Sequence, residues 1–290
     1  RWAYRTELDF ALNGWVREGP CTISFVAGRK HMTIDRRTFI TSGVTAVASA
    51  ALGSHVRAGE ADVHSSQVDG YNYRLPSFKR GSRLLFLGDS ITDMKWGRDQ
   101  TDRNHYLGHS YVYLIAARLG VDMPEAQLDI YNRGISGNTV ADLKDRWQTD
   151  AIDMAPDLLS ILIGTNDVGR GVTEEAFEAD YRYILDASCE ANPQLRLVLL
   201  DPFVLRSGKL SDAQEWTARR TATDKLRAIV ARLAKDYSAV HIRTQDIFDS
   251  AAEATTSAHW IWDGVHPLPQ GHELIARHWV QEVSARWPFR

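Results

Sequence analysis

The chain has 290 residues, 44% of them hydrophobic and 24% charged, and a formal net charge of -3. That balance describes an ordinary globular protein and excludes the basic footprint that nucleic-acid binding requires. Its two cysteines, Cys21 and Cys189, are too few for a disulfide-stapled scaffold, and neither has the CxxC or Cys/His spacing of a metal site.

Residues 1–31 carry no clear period and no motif, and are expected to form a non-native or unstructured leader. Residues 32–58 read as an export signal of the twin-arginine type. Met32 opens it, Arg36 and Arg37 precede the apolar pair Phe39 and Ile40, and residues 42–53 form an uncharged, Ala-rich run. That run is too short to span a bilayer. Val56-Arg57-Ala58 then offers modest side chains where a signal peptidase would cut. The expectation is a periplasmic or extracellular protein without stable membrane insertion. Its domain runs from 59 to 290, with a polar lead-in at 59–80.

Within that domain five short apolar runs read as buried parallel strands: Arg83–Leu87, Leu128–Asn132, Leu158–Ile163, Leu195–Leu200 and Val240–Arg243. Helical periodicity fills the intervals. Tyr106–Leu119 carries Tyr111, Leu114, Ile115 and Leu119. Glu174–Cys189 follows Thr173, a residue suited to N-capping, and Cys189 reads as a small buried apolar side chain. Asp212–Tyr237 is long and charged, with Leu226, Ile229, Val230 and Leu233 on one face. Pro269–Arg286 closes the chain with Leu274, Ile275, His278, Trp279 and Val283. The alternation of strand and helix predicts one α/β domain, a five-stranded parallel sheet covered on both faces. Ligands of such sheets bind beyond the C-terminal strand ends, where strand order reverses, so those loops are where chemistry is sought.

The first strand runs into Gly88-Asp89-Ser90-Ile91-Thr92-Asp93, which suits a tight strand-to-helix turn with Ser90 at the sheet edge. The same residues also suit a plain helix cap. The second strand ends in Asn132-Arg133-Gly134-Ile135-Ser136-Gly137-Asn138-Thr139, where a glycine lets a backbone N–H approach a ligand. The third ends in Gly164-Thr165-Asn166-Asp167, and the Asn166 amide can donate into a site. Near the C-terminus Asp263 stands three residues before His266. That spacing lets the carboxylate fold back on the imidazole, fix its tautomer and stabilise its charged form.

These four blocks, in this order, resemble the SGNH (GDSL-like) hydrolase family over most of residues 83–286. The style of GDSITD, GISGNT and DGVHP is similar to its acetylxylan-esterase-like branch. The resemblance implies a flavodoxin-like three-layer α/β/α sandwich and a serine esterase that needs no cofactor and no metal. Matched residue by residue, Ser90 takes the place of the nucleophile and of one backbone oxyanion donor. Gly134 matches the second backbone donor, Asn166 the side-chain donor, His266 the general base and Asp263 its orienter. The first block reads GDSI where the family name has GDSL, a mild hydrophobic swap behind the nucleophile. The implied reaction is acyl-enzyme hydrolysis of short-chain esters, O-acetyl groups on carbohydrates first. Lipid esters of the lysophospholipase or thioesterase kind are the alternative on the same site.

Two rival readings use the same neighbourhood. Asp89, Asp93 and Asp167 are the kind of carboxylates that a metal-dependent phosphoesterase employs, although no recognisable histidine pair accompanies them. As turn residues they serve instead to accept nearby backbone N–H groups. Trp96, Trp260 and Trp262 could stack on sugar rings in a non-catalytic carbohydrate-binding protein. His109, Tyr111, Arg133 and Arg170 are further candidates for lining the site.

Overall fold

The computed structural model describes residues 15–19, 22–25 and 74–289. The expected export signal at 32–58 and the lead-in as far as residue 73 lie outside them. Trp15–Gly19 (β1) and Thr22–Phe25 (β2) form an antiparallel pair, an element that the aperiodic sequence before residue 32 does not announce.

The central sheet consists of Arg83–Gly88 (β3), Asp129–Asn132 (β4), Leu158–Leu162 (β5), Arg196–Leu200 (β6) and Val240–Ile242 (β7). Every pairing in it is parallel, in the order β4-β3-β5-β6-β7. This is the flavodoxin-like order, with its reversal between β3 and β5. The strand bounds match the apolar runs to within one residue. Leu84, Leu85, Phe86 and Leu87 are all fully buried, because a sheet covered on both faces has no solvated side to mark with polar residues.

The helices are Ser90–Asp93 (α1), Tyr111–Asp122 (α2), Val140–Asp145 (α3), Thr165–Arg170 (α4), Glu174–Ala191 (α5), Ala213–Asp236 (α6), Thr244–Ala254 (α7), Ser257–Trp260 (α8) and Pro269–Arg286 (α9). Alternate strand residues feed two cores. Leu84 and Phe86 join Tyr111 and Ile115 of α2 and Trp279 and Val283 of α9. Leu85 and Leu87 join Leu143 of α3, Tyr181 and Ile184 of α5 and Ile229 and Leu233 of α6. Cys189 is half-buried at the edge of this second core. Trp279 packs on Phe86 with ring centroids 5.4 Å apart. Its indole N–H reaches Ser160 Oγ at 3.1 Å, which accounts for a serine inside an otherwise apolar strand.

Caps set the helix ends. Ser110 Oγ accepts the Val112 N–H, so α2 starts at Tyr111 and not at Tyr106. Thr173 and Asp212 cap α5 and α6. Thr139 and Asp142 form a capping box on α3. Helices α1, α3, α4 and α8 are too short for periodicity to reveal; the first three follow the ends of β3, β4 and β5, and α8 precedes the turn that carries His266. Among the described residues no helix is long and apolar enough to cross a membrane.

Candidate active site

Strand β3 delivers Ser90 as the first residue of α1, with Asp89 as N-cap and its Oδ1 accepting the Ile91 N–H at 2.9 Å. His266 arrives from the turn between α8 and α9. That turn is closed by an isolated bridge between Ile261 and Pro267 and tied to the loop after β6 by the Leu205 N–H donating to Gly264 O at 3.0 Å. The two meet across 176 positions: Ser90 Oγ lies 2.8 Å from His266 Nε2. On the other side of the ring, Nδ1 lies 2.8 Å from Asp263 Oδ2.

Asp263 is nearly buried, whereas the His266 side chain keeps about a third of its surface exposed. Burial works to raise the Asp263 carboxyl, but the His266 N–H, the His266 ring and the Val265 N–H outweigh it and hold it below the usual carboxylate value. A carboxylate accepts only. It therefore selects the tautomer with hydrogen on Nδ1 and leaves the Nε2 lone pair to the Ser90 hydroxyl.

The loop after β4 can be accounted for amide by amide. The Gly134 N–H donates to Asn132 Oδ1 at 2.9 Å. Ile135 donates to Gly88 O and Ser136 to Asp93 Oδ2. Asn138 donates to Ile135 O and Thr139 to Asp142 Oδ2. Only the Gly137 N–H in this run is left without an acceptor among the described residues. Gly134 is also buried, and a Cβ there would come within 2.4 Å of the Asp93 backbone nitrogen. Gly134 is therefore a close-packing residue, and the reading of its N–H as an oxyanion donor is corrected. Gly137 has φ +87° and lies in the open part of the turn, which makes its N–H the available one. The sequence held a signal for this: the second glycine of GISGN follows the turn residue, where a left-handed conformation is wanted.

Asn166, on α4, donates one Nδ2 hydrogen to Asn138 O at 3.0 Å and has a second to offer. The Ser90 N–H heads its helix and has no intrahelical acceptor. The loops after β3, β4 and β5, three neighbouring strands of the sheet, thus each carry one donor at the C-terminal strand ends: the N–H groups of Ser90 and Gly137 and the Asn166 amide.

A family model described as GDSL-like lipase/acylhydrolase matches residues 86–274. This chain belongs to the GDSL-like lipase/acylhydrolase family. It is a serine hydrolase of carboxylic ester bonds. An acetylxylan esterase of Geobacillus stearothermophilus is 33% identical over 219 residues, 71% of this chain and 96% of that one. Its crystal structure superposes with a TM-score of 0.62 at 32% identity, covering 72% of this chain and 97% of the esterase. Solved forms of that enzyme include catalytic mutants at a serine and at an aspartate. An α/β hydrolase from the metagenome of Lake Arreo superposes with a TM-score of 0.62 at 31% identity, covering 71% and 97% of the two chains. A multidomain esterase of Ruminococcus flavefaciens is 26% identical over 240 residues, 73% of this chain and 29% of that protein.

In this GDSL-like chain the three acidic neighbours serve as loop acceptors. Asp93 Oδ2 takes the Ser136 N–H and hydroxyl and the Arg98 guanidinium, and Asp167 Oδ1 takes the Val140 N–H. Among the described residues no three His, Cys, Asp or Glu side chains are grouped to hold a metal. Trp96 is buried with its indole N–H on Gly134 O, Trp260 donates to Ala251 O, and Trp262 is exposed. Tyr111 is a core residue whose hydroxyl bonds Thr92 Oγ1, and Arg133 lies over the Trp96 ring. His109 is exposed. Arg170 donates to Gly137 O at 2.7 Å.

Proposed function

We propose that this chain removes short acyl groups, O-acetyl first, from carbohydrate esters through an acyl-enzyme on Ser90. The observation that carries the reading is the unbroken hydrogen-bonded line Ser90–His266–Asp263, with 2.8 Å at each step. A serine hydroxyl is a weak nucleophile until a base stands beside it. In this mechanism His266 Nε2 takes the hydroxyl proton as Ser90 Oγ bonds the ester carbon. The carbonyl oxygen becomes an oxyanion facing the N–H groups of Ser90 and Gly137 and the Asn166 amide. The oxyanion collapses, the carbon–oxygen bond to the alcohol breaks, and His266 returns its proton to that alcohol. Water repeats the sequence on the acyl-enzyme and releases the carboxylic acid. Asp263 stabilises the imidazolium in both halves.

Acetylated sugar is favoured as substrate by the acetylxylan esterase likeness over almost the whole length of that enzyme. The test measures hydrolysis of p-nitrophenyl acetate, butyrate and octanoate, and acetate release from acetylated xylan, with Ser90→Ala as the blank. Highest activity on acetate, release from xylan and loss of both in the variant are expected. A preference for octanoate moves the substrate to lipids, and full activity in Ser90→Ala removes the mechanism.

The export reading of residues 32–58 is part of the proposal. A chain recovered outside the cytoplasm with its N-terminus near residue 59 is the result it requires.

A further inference from the structure

The Gly137 turn is held from α4 by two side chains one helical turn apart. Asn166 and Arg170 share a face of that helix. Asn166 binds Asn138 O at 3.0 Å, and Arg170 Nη2 binds Gly137 O at 2.7 Å while Nη1 lies 3.4 Å from Asp142 Oδ2. Asp142 in turn accepts the Thr139 N–H and hydroxyl. The guanidinium fork thus bridges the carbonyl of the turn to the capping box that starts α3. Among the described residues, the only heavy atom that a Cβ on Gly137 would meet within 4 Å is Arg170 Nη2, at 3.7 Å. On the far side, Asp93 fixes the preceding residue through the Ser136 N–H and hydroxyl.

The peptide that carries the Gly137 N–H is therefore flanked by two held peptides, the one before it by Asp93 through the Ser136 N–H and the one after it by Arg170 through the Gly137 carbonyl. A glycine at φ +87° has access to many other conformations, and without the guanidinium nothing bonded to its own carbonyl would oppose them. Burial does not supply the restraint, because this turn is partly exposed. Hydrogen bonds do: the turn's own Asn138 N–H to Ile135 O, the Asn166 amide on Asn138 O and, at the Gly137 carbonyl itself, the charge-assisted bond from Arg170.

We propose that Arg170 is a positioning residue for ester hydrolysis: it keeps the Gly137 turn in the conformation that aims the Gly137 N–H at the developing oxyanion. The proposal rests on the acyl-enzyme reading above. Misplacing one donor acts on the transition state more than on substrate binding, so kcat should change and KM should not.

The experiment is steady-state hydrolysis of p-nitrophenyl acetate by the full chain, its Ser90→Ala variant, Arg170→Ala and Arg170→Lys, with unfolding midpoints measured in parallel. Arg170→Ala is expected to lose about 10- to 100-fold in kcat, with KM within about twofold. Guanidinium ion added at millimolar concentration should restore several-fold of the loss, and sodium chloride at equal ionic strength should not. Lysine keeps the charge but cannot reach both acceptors as a fork, so Arg170→Lys should have an intermediate kcat. Should Arg170→Ala fail to fold, Arg170→Lys carries the test. An unchanged kcat overturns the proposal, as does a loss confined to KM, which would make Arg170 a substrate contact. A loss in the folded alanine variant that guanidinium does not restore also overturns it. Activity surviving in Ser90→Ala would instead remove the underlying reading, so the two failures are distinct.

Discussion

The Asp263 carboxylate grips His266 with both oxygens: Oδ2 stands 2.8 Å from the ring Nδ1, and Oδ1 accepts the residue's own backbone N–H at 2.8 Å. Position and tautomer of the ring are thus set by one side chain. Asp263→Asn keeps the shape and reverses the chemistry. An amide NH2 facing Nδ1 makes that nitrogen an acceptor, puts the hydrogen on Nε2 and leaves nothing to receive the Ser90 proton. A fall of about 10²–10⁴ in kcat is expected, with KM changed little. Steady-state kinetics on p-nitrophenyl acetate checks it, and a loss below about threefold, smaller than general-base catalysis supplies, contradicts the assigned tautomer.

Two glycines three positions apart should respond in opposite ways. At Gly134 a Cβ would come 2.4 Å from the Asp93 nitrogen, so Gly134→Ala must displace the α1 backbone. It is expected to cost about 2 kcal/mol or more in stability. At Gly137 the space is open but φ is +87°. Gly137→Ala should therefore cost about 1–2 kcal/mol in strain, and kcat should fall by about tenfold or more as the turn relaxes. Urea unfolding and kinetics on both variants separate the roles. A stable Gly134→Ala with depressed kcat would return the donor to Gly134.

Asn166→Ala removes the only side-chain donor of the three. A decrease of about 10²–10³ in kcat is expected. The loss of its bond to Asn138 O should cost about 1 kcal/mol in stability. Asn166→Asp, which matches the size but offers no N–H, should be no more active than the alanine variant. Restored activity in the aspartate variant would mean that the residue fills space instead of donating a hydrogen.

How far the sequence could be read depended on the range of the interaction that decides each feature. Strands such as Leu158–Leu162 are legible because double-sided burial leaves an unbroken apolar run, and α9 is legible because its periodic face is long. The meeting of Ser90 with His266 was inferred from motif order, since no local pattern links residues 176 positions apart. The choice between Gly134 and Gly137 was only partly legible, from the turn position of the second glycine. It depends on the Asn132 side chain folding back on the Gly134 N–H and on the closeness of Asp93, contacts that exist only once β3 and β4 have paired. Helix α7 was missed although its residues Gln245 and Phe248 are buried, because its apolar positions are interrupted by Asp246 and Asp249. Those carboxylates are engaged by Arg227 and Arg220 of α6.

Behind Ser90, two buried carboxyls make stability depend on pH in a direction opposite to the usual carboxylate effect. Asp89 is buried, its Oδ2 has no partner among the described residues, and burial pushes its carboxyl up to about 7. Burial likewise pushes Asp167 up to about 6. In the unfolded chain both would titrate near the ordinary aspartate value of 3.8. Between the two values the folded protein holds protons that the unfolded chain has released, so the contribution of these groups is fully present below about pH 4 and is lost as pH rises through about 6 to 7. Asp263, held low, loses its contribution only below the ordinary carboxylate range and does not enter that interval. Burial holds His272 down to about 3, which favours the fold as pH rises through the ordinary imidazole range and opposes the carboxyls in this interval, so the contribution of Asp89 is read as a difference between two proteins. Relative to Asp89→Asn, which keeps an oxygen for the Ile91 N–H and cannot ionise, the unfolding midpoint of the native protein is expected to lose several degrees between about pH 5 and about pH 8. Calorimetric scans of both proteins at the two pH values decide it. An equal slope in the variant would mean that Asp89 stays ionised in the fold and that some other group carries the dependence.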